Sequence, residues 1–414
     1  MSQPIYVLGG SQTDFAMNAA REGLGLFELM QGAVQGALDG AGLQASDIQA
    51  GHVGNFVGEL FTGQGQLGGM FEAIDPGFYG MPAGRHEAAC ASGSIALLAA
   101  SAEIEAGRYD CVLVTGVELE RNVPGALAAQ HLGAATWVGA EAQEAKYPWP
   151  HMFHLVGQEY ERRYGLRYEH LARIAEINIG NARRNPWAQT RSWDFTPESF
   201  TADNTANPVI DGMIRRQDCG QVTDGAAAVV LASPAFAARW ARKRGRDLED
   251  VPRITGWGHR TAHLKLAAKL ERSANEPYVF PHVRGAIQDA FGRAEIADVF
   301  ALDGIETHDC FTTTEYMAID HFGITPAGQS WQAIESGLIS ADGRLPINPS
   351  GGLIGAGHPV GATGVRMVLD AARQVSGQAG ATQVDGAKRF GTLNIGGSAT
   401  TVVSFVVEGS GSAG

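Results

Sequence analysis

The stretch LFELMQGAVQGALDGAG (Leu26–Gly42) has a counterpart late in the chain, VRGAIQDAFGRA (Val283–Ala294). Gly32-Ala33-Val34-Gln35-Gly36-Ala37 lines up with Gly285-Ala286-Ile287-Gln288-Asp289-Ala290. Apolar residues recur at helical spacing in both, which predicts two helices. Each is followed by a short polar or acidic turn and a strand-like run. A second echo comes in the same order. Cys90 precedes the small-residue segment ASGSIALLAASAEIEAG and the strand-like CVLVTG, whereas His358 precedes VGATGVRMVLDAARQV and GTLNIGG. One short match is within chance, but two in one order indicate two related halves. Other strand-like runs (IYVLGG, AAVVLAS, TTVVSFVVE) alternate with helical ones, so the expected class is α/β. The halves are placed at residues 1–120 and 249–414. Residues 121–248 form an insertion richer in Trp, Arg and Asn, whose last part, about 220–248, returns to the first half. It reads as helical and irregular, the kind of segment that builds a binding surface.

The bulk properties bound the function. A chain of 43.6 kDa is too long for one simple core. Mean hydropathy near zero and a hydrophobic fraction of 44% suit a soluble globular protein. A net charge of −13 argues against nucleic acid, whose phosphates select for clustered Lys and Arg. The local basic stretches RNPWAQTR and IRRQD are candidates for holding a small phosphorylated group, or are solvated loops. Cysteines 90, 111, 219 and 310 have no metal-ligand spacing and form no disulfide framework, which points to a reducing, cytoplasmic setting. MSQPIYVLGG begins on a strand-like run without a leader pattern, and no apolar run reaches membrane-spanning length. The terminal GSGSAG reads as a flexible tail without a targeting signal.

Three short stretches carry chemistry. Cys90, in HEAACASGS, stands at the start of a helix, where backbone N–H groups favour a thiolate; a packed structural cysteine is the competing reading. His358, in SGGLIGAGHPVGATG, sits in a glycine-rich turn and is placed either to act as base toward a thiol or to cap the helix. The spacing of that turn fits neither a P-loop nor a dinucleotide fingerprint. THDCFTT (Thr307–Thr313) offers His308, Asp309 and Cys310, but three adjacent residues cannot all point at one ion, so no metal is expected. HRTAH (His259–His263) lacks the glutamate of a zinc-protease motif.

Taken together, EAACASGS around Cys90, DGAAAVVLAS (Asp224–Ser233) and NPSGGLIGAGHPVGATG around His358 resemble the thiolases over nearly the whole chain. The resemblance implies an acyl-CoA acyltransferase that forms or thiolytically cleaves 3-oxoacyl-CoA through an acyl-cysteine intermediate. It implies two α/β halves in stacked layers, with 121–248 as a loop domain that binds coenzyme A. Coenzyme A and acyl-CoA would be substrates, with no permanently bound cofactor. The implied assembly is a homodimer or homotetramer, with no membrane or nucleic-acid partner. Cys90 would be the nucleophile and His358 its base, with His308 and His358 facing the enolate oxygen. The backbone N–H groups of Cys90 and Gly396 would face the tetrahedral oxyanion. Most thiolases carry a second catalytic cysteine where this chain has Asn394-Ile395-Gly396, and Asn-Glu-Ala-Phe where it has His308-Asp309-Cys310-Phe311. The HDCF form is similar to the sterol-carrier-protein-associated thiolases, which implies that Cys310 supplies the second thiol and that Asn394 only shapes its loop. Trp137, Trp149, Trp187 and Trp193 are candidates to line an acyl tunnel or simply to pack a core. Two alternatives stay open: a ketoacyl-synthase-like condensing enzyme using Cys90, His308 and His358, and an aldolase-type or acyl-CoA-binding subunit working with a small OB-fold partner.

Overall fold

Runs of Val, Leu and Ala buried on both faces form the central strands, and the computed structural model describes residues 3–410. The terminal tail expected of GSGSAG lies largely outside the described residues. The strands are β1 (Ile5–Gln12), β2 (Ala50–Gly54), β3 (Ala83–His86), β4 (Cys111–Glu118), the hairpin β5 (Val209–Asp211) and β6 (Ile214–Arg215), β7 (Gly225–Ala232), β8 (Arg253–Thr261), β9 (Gly304–Thr307), β10 (Arg389–Gly396) and β11 (Thr401–Glu408). Nine of them run in the order β3-β2-β4-β7-β1-β8-β11-β10-β9.

That order contains the repeat. Within the first half β1 pairs antiparallel with β7, β7 antiparallel with β4, and β4 parallel with β2. Within the second, β8 pairs antiparallel with β11, β11 antiparallel with β10, and β10 parallel with β9. Strand for strand the pairing is the same, read outward from a seam where β1 meets β8 through Ile5↔Ile254 and Tyr6↔Arg253. The two helices expected from the matching sequences are present at Leu26–Ala41 and Pro281–Arg293, packed on β1, β4 and β7 and on β8 and β11 respectively.

The helices Ser92–Glu105 and Thr363–Val375 pack on each other, and the second touches strands of both halves. One apolar cluster unites them: Leu97, Val112 and Leu231 from the first half meet Val365, Phe390 and Val403 from the second. The arrangement is therefore layered: helix, first half of the sheet, shared helices, second half of the sheet, helix. Gly93 is required where the shared helices begin, because a Cβ there would lie 2.7 Å from the Gly361 carbonyl oxygen. This close approach brings the starts of both helices, and with them Cys90 and His358, to one place.

Candidate active site

The sequence around Cys90 makes a bend before it makes a helix. Ala89 has φ +51°, and the short turn Ala89–Ala91 precedes the helix at Ser92. Ser92 Oγ accepts from the Ala88 N–H (2.9 Å) and donates to the Ala89 carbonyl (2.6 Å), which fixes the bend. A non-glycine residue in this region is strained, and such strain persists only where surroundings enforce it. Burial pushes the Cys90 thiol up to about 12, and the Glu120 charge adds to this against the backbone N–H groups of Gly397 and Cys90 itself. The expectation of a more readily ionised thiol is thus overturned for the resting site. A helix terminus contributes at most about 2 kcal/mol, and desolvation outweighs it here.

His358 is held between Gly357, at φ +116°, and Pro359. Its Nδ1 lies 2.7 Å from Thr363 Oγ1, and that hydroxyl donates its hydrogen to the Pro359 carbonyl at 3.0 Å. With the hydroxyl hydrogen placed there, Nδ1–H donates to Thr363 Oγ1 and Nε2 is left as a free acceptor. Burial, helped by the Arg366 charge, pushes this imidazole down to about 3, so it is neutral at physiological pH.

His308 follows the end of β9 and is fully buried. Asn394 determines its tautomer. The Asn394 amide accepts from Ser94 Oγ (2.7 Å) through Oδ1, and its Nδ2 donates to the Cys90 carbonyl (3.0 Å). The same Nδ2 lies 3.2 Å from His308 Nδ1, which must accept. The hydrogen of His308 is then on Nε2, a buried atom with no hydrogen-bond partner among the described residues. The two imidazoles meet edge to face with centroids 5.3 Å apart, and the Cys90 sulfur and one nitrogen of each ring all lie within 4.8 Å of one another. To bind a cation through Nε2, His308 would have to move its proton to Nδ1, against the Asn394 amide hydrogens. The constellation suits a thiol with one acceptor and one donor better than it suits a metal.

Cys310 completes the group. It is buried, its sulfur lies 3.9 Å from Thr314 Oγ1, and burial followed by the Cys90 charge pushes its thiol well above the ordinary range. The Asp309 carboxylate accepts from the backbone of Leu353 (2.5 Å) and Ile354 (3.2 Å) and from Asn178 Nδ2 (2.9 Å). It thereby fastens the HDCF segment to the glycine-rich loop that ends in His358. Gly396 passes so close to the Ala88 carbonyl that no side chain fits there, which draws the 394–397 loop against the Cys90 turn.

A cavity of about 530 Å³ opens onto Cys90, Cys310 and His358. Its wall is mainly apolar, with Phe56, Leu132, Trp149, Phe153, Phe311 and Val360 among the lining residues. Trp149 is the one of the four candidate tryptophans that lines it; Trp137, Trp187 and Trp193 are 45%, 41% and 38% exposed on the surface. Several residues of the basic stretches are engaged elsewhere. Asn185 and Gln189 of RNPWAQTR bond Ser350 and Ala356 in the His358 loop, and Arg191 pairs with Asp14 at 2.7 Å. Arg215 of IRRQD bonds Asn204 and Asn207. The sequence reading missed Thr363 and Asn178, which hold His358 and Asp309, and the cavity residues Glu120 and Cys219, the latter a third thiol. Only Cys219 carried a signal, as one of four cysteines.

Comparison with known proteins agrees with this geometry. A family described as thiolase, N-terminal domain matches residues 5–190, and one described as thiolase C-terminal domain-like matches 267–409. An acetyl-CoA acetyltransferase of Methanothermobacter thermautotrophicus is 31% identical over 96% of this chain and 97% of its own length. Sterol carrier protein 2 of Gallus gallus is 29% identical over 99% of this chain and 72% of its own. Among solved structures, an Ltp2-ChsH2(DUF35) aldolase superposes with TM-score 0.77 at 19% identity, covering 99% of both chains. An acetyl-CoA acetyltransferase from Syntrophomonas wolfei does so with TM-score 0.70 at 17%, again over 99% of both. These two likenesses are of fold.

Proposed function

The chain belongs to the thiolase family, and from that premise we propose that it forms or thiolytically cleaves 3-oxoacyl-CoA by way of an acyl group carried on Cys90. The reading rests on one observation: the Cys90 sulfur and one nitrogen of each imidazole lie within 4.8 Å of one another, with His358 Nε2 left as an acceptor and His308 Nε2 as a donor without a partner among the described residues. His358 takes the thiol proton as the sulfur attacks the thioester carbonyl, coenzyme A leaves as its thiol, and Cys90 becomes the thioester. A thiol held at about 12 would be almost wholly protonated at neutral pH without such a base. Its neutral partner, held near 3, is ready to accept. The His308 N–H donates to the oxygen that gains charge; the loss of one such donor typically costs ~10²–10³ in rate. The backbone N–H groups of Cys90 and Gly396 serve the tetrahedral oxyanion, and Asn394 holds the loop.

Cys310 moves the second proton. In synthesis it removes one from the α-carbon of the incoming acyl-CoA; in cleavage it returns one to the departing enolate. Coenzyme A and its thioesters are substrates, and no resident cofactor takes part in these steps. We assign residues 1–120 and 249–414 to the two halves and 121–248 to the loop domain. The pairing of β7 with β1 and β4 supports returning about 220–248 to the first half. A homodimer or homotetramer is consistent with a sheet that ends at β3 with one edge unpaired. Four free cysteines suit a reducing compartment such as the cytoplasm. No helix among the described residues is long and apolar enough to cross a membrane.

The test is intact-protein mass after brief incubation with acetyl-CoA or acetoacetyl-CoA, with coenzyme A release followed in parallel. The adduct should vanish in Cys90→Ala and persist without turnover in Cys310→Ala. A wild type that stays unmodified with every acyl donor would overturn the proposal. It would favour a subunit that works with a small OB-fold partner, a reading that the fold likeness to the Ltp2-ChsH2(DUF35) aldolase keeps in view.

A further inference from the structure

The cavity wall carries one carboxyl group among the described residues, that of Glu120, and the acyl-transfer chemistry does not use it. Glu120 is 1% exposed, and no ion pair reaches it among the described residues. Its backbone N–H is held by Asp224 Oδ1 at 2.8 Å. Oε1 accepts from the Val360 N–H at 3.1 Å, and the Thr223 N–H also reaches the carboxyl. These contacts fix the group beside the turn that carries His358. Nearby apolar residues of the same wall, Phe56, Ala126, Leu132 and Val360, offer no hydrogen-bonding side chain.

Two backbone donors favour an anion, but burial and the neighbouring charges of Glu118 and Asp224 oppose it. The balance pushes the Glu120 carboxyl well above the usual range. Burial thus favours the protonated acid, which has a hydrogen to give to whatever fills the cavity. Such a group in an apolar pocket costs binding energy for a purely hydrocarbon chain and returns it when the chain brings an oxygen.

We propose that Glu120 is a specificity residue: its carboxyl donates a hydrogen bond to a keto or hydroxyl oxygen on the acyl chain carried by Cys90. The preferred acyl donors are then largely apolar chains that bear an oxygen a few carbons from the thioester. This inference rests on the acyl-transfer reading above.

The experiment compares Cys90 acylation by hexanoyl-CoA with that by 4-oxohexanoyl-CoA and 5-oxohexanoyl-CoA, by mass and by release of coenzyme A. In wild type one keto isomer should acylate about tenfold faster than hexanoyl-CoA, the effect of one well-made hydrogen bond. Glu120→Gln keeps a donor and should keep the preference; Glu120→Met should bring the ratio near one. A purely structural role would lower all rates together and leave the ratio unchanged. Equal wild-type rates for all donors, or a preference that survives in Glu120→Met, would overturn the inference while leaving acyl transfer intact. If Glu120→Met does not fold, the wild-type ratio and its retention in Glu120→Gln still decide. No adduct with any donor would remove the acyl-transfer reading and this inference with it.

Discussion

Asn394 determines the chemistry of two neighbours at once, because its single amide holds the Cys90 carbonyl and the Nδ1 of His308. Asn394→Ala should release the His308 ring, and the acylation rate should fall by about tenfold to a hundredfold with the fold intact, read by adduct mass and circular dichroism. His308→Ala should cost more, about 10²–10³, since it removes the donor itself. His358 supports a pH prediction. Its folded value near 3 lies below the ordinary 6.5, so above 6.5 the imidazole is neutral whether folded or unfolded. As pH falls through the window from 6.5 toward 3 only the unfolded chain takes the proton, and stability is lost. His358→Asn lacks this penalty. The variant should therefore gain on wild type by about 1 kcal/mol per pH unit below 6.5, measured as the difference in urea midpoints.

At the scale of elements, the site depends on two helix starts brought into contact. Gly93→Ala would set a Cβ 2.7 Å from the Gly361 carbonyl oxygen, and backbone on both sides leaves it nowhere to go. The expected cost is about 1–3 kcal/mol in urea unfolding, together with slower acylation, because Cys90 and His358 lie beside these helices. A variant of full stability and rate would show that the helices can part freely. Much of this layer was legible beforehand. IYVLGG, CVLVTG, AAVVLAS and TTVVSFVVE are strands, and the matching helices stand where apolar periodicity placed them. The insertion was harder to read. Three of its tryptophans lie partly exposed and only Trp149 reaches the cavity, since an aromatic residue has the same local signature whether it packs, lines a pocket or covers a surface.

For the whole molecule the decisive feature is the shared middle layer. The seam between β1 and β8 is short, but one apolar cluster contains residues of both halves. The halves should therefore unfold together, with tryptophan fluorescence and circular dichroism tracing one coincident urea transition; a separate intermediate would contradict this. Arg366 lies fully buried in the same layer, 3.2 Å from Glu306, 2.7 Å from Asp370 and 2.8 Å from Ser350 Oγ. Arg366→Met removes the cation and should destabilise by about 3–5 kcal/mol at pH 8. Burial already raises Glu306 to about 7, so at pH 6 the stranded carboxyl holds a proton and the cost should be smaller. Urea titrations at the two pH values measure both effects.

The sequence by itself determined the α/β class, the duplication and the family, and it singled out Cys90, Cys310 and His358, which line one cavity, and His308, whose ring lies beside Cys90 and His358. These follow from short-range patterns: helical and strand periodicity, glycines at tight turns, and motifs read in one stretch. Only the tertiary structure decided the state in which those residues meet. Desolvation pushes the Cys90 thiol up against the expectation from its helix start. Which nitrogen of each histidine is free depends on Thr363 for one and Asn394 for the other. Glu120 faces the same cavity without any local signature. Burial and tautomer are properties of three-dimensional neighbours, and Cys90, Asn394 and His308 become neighbours only when both halves close on the shared helices.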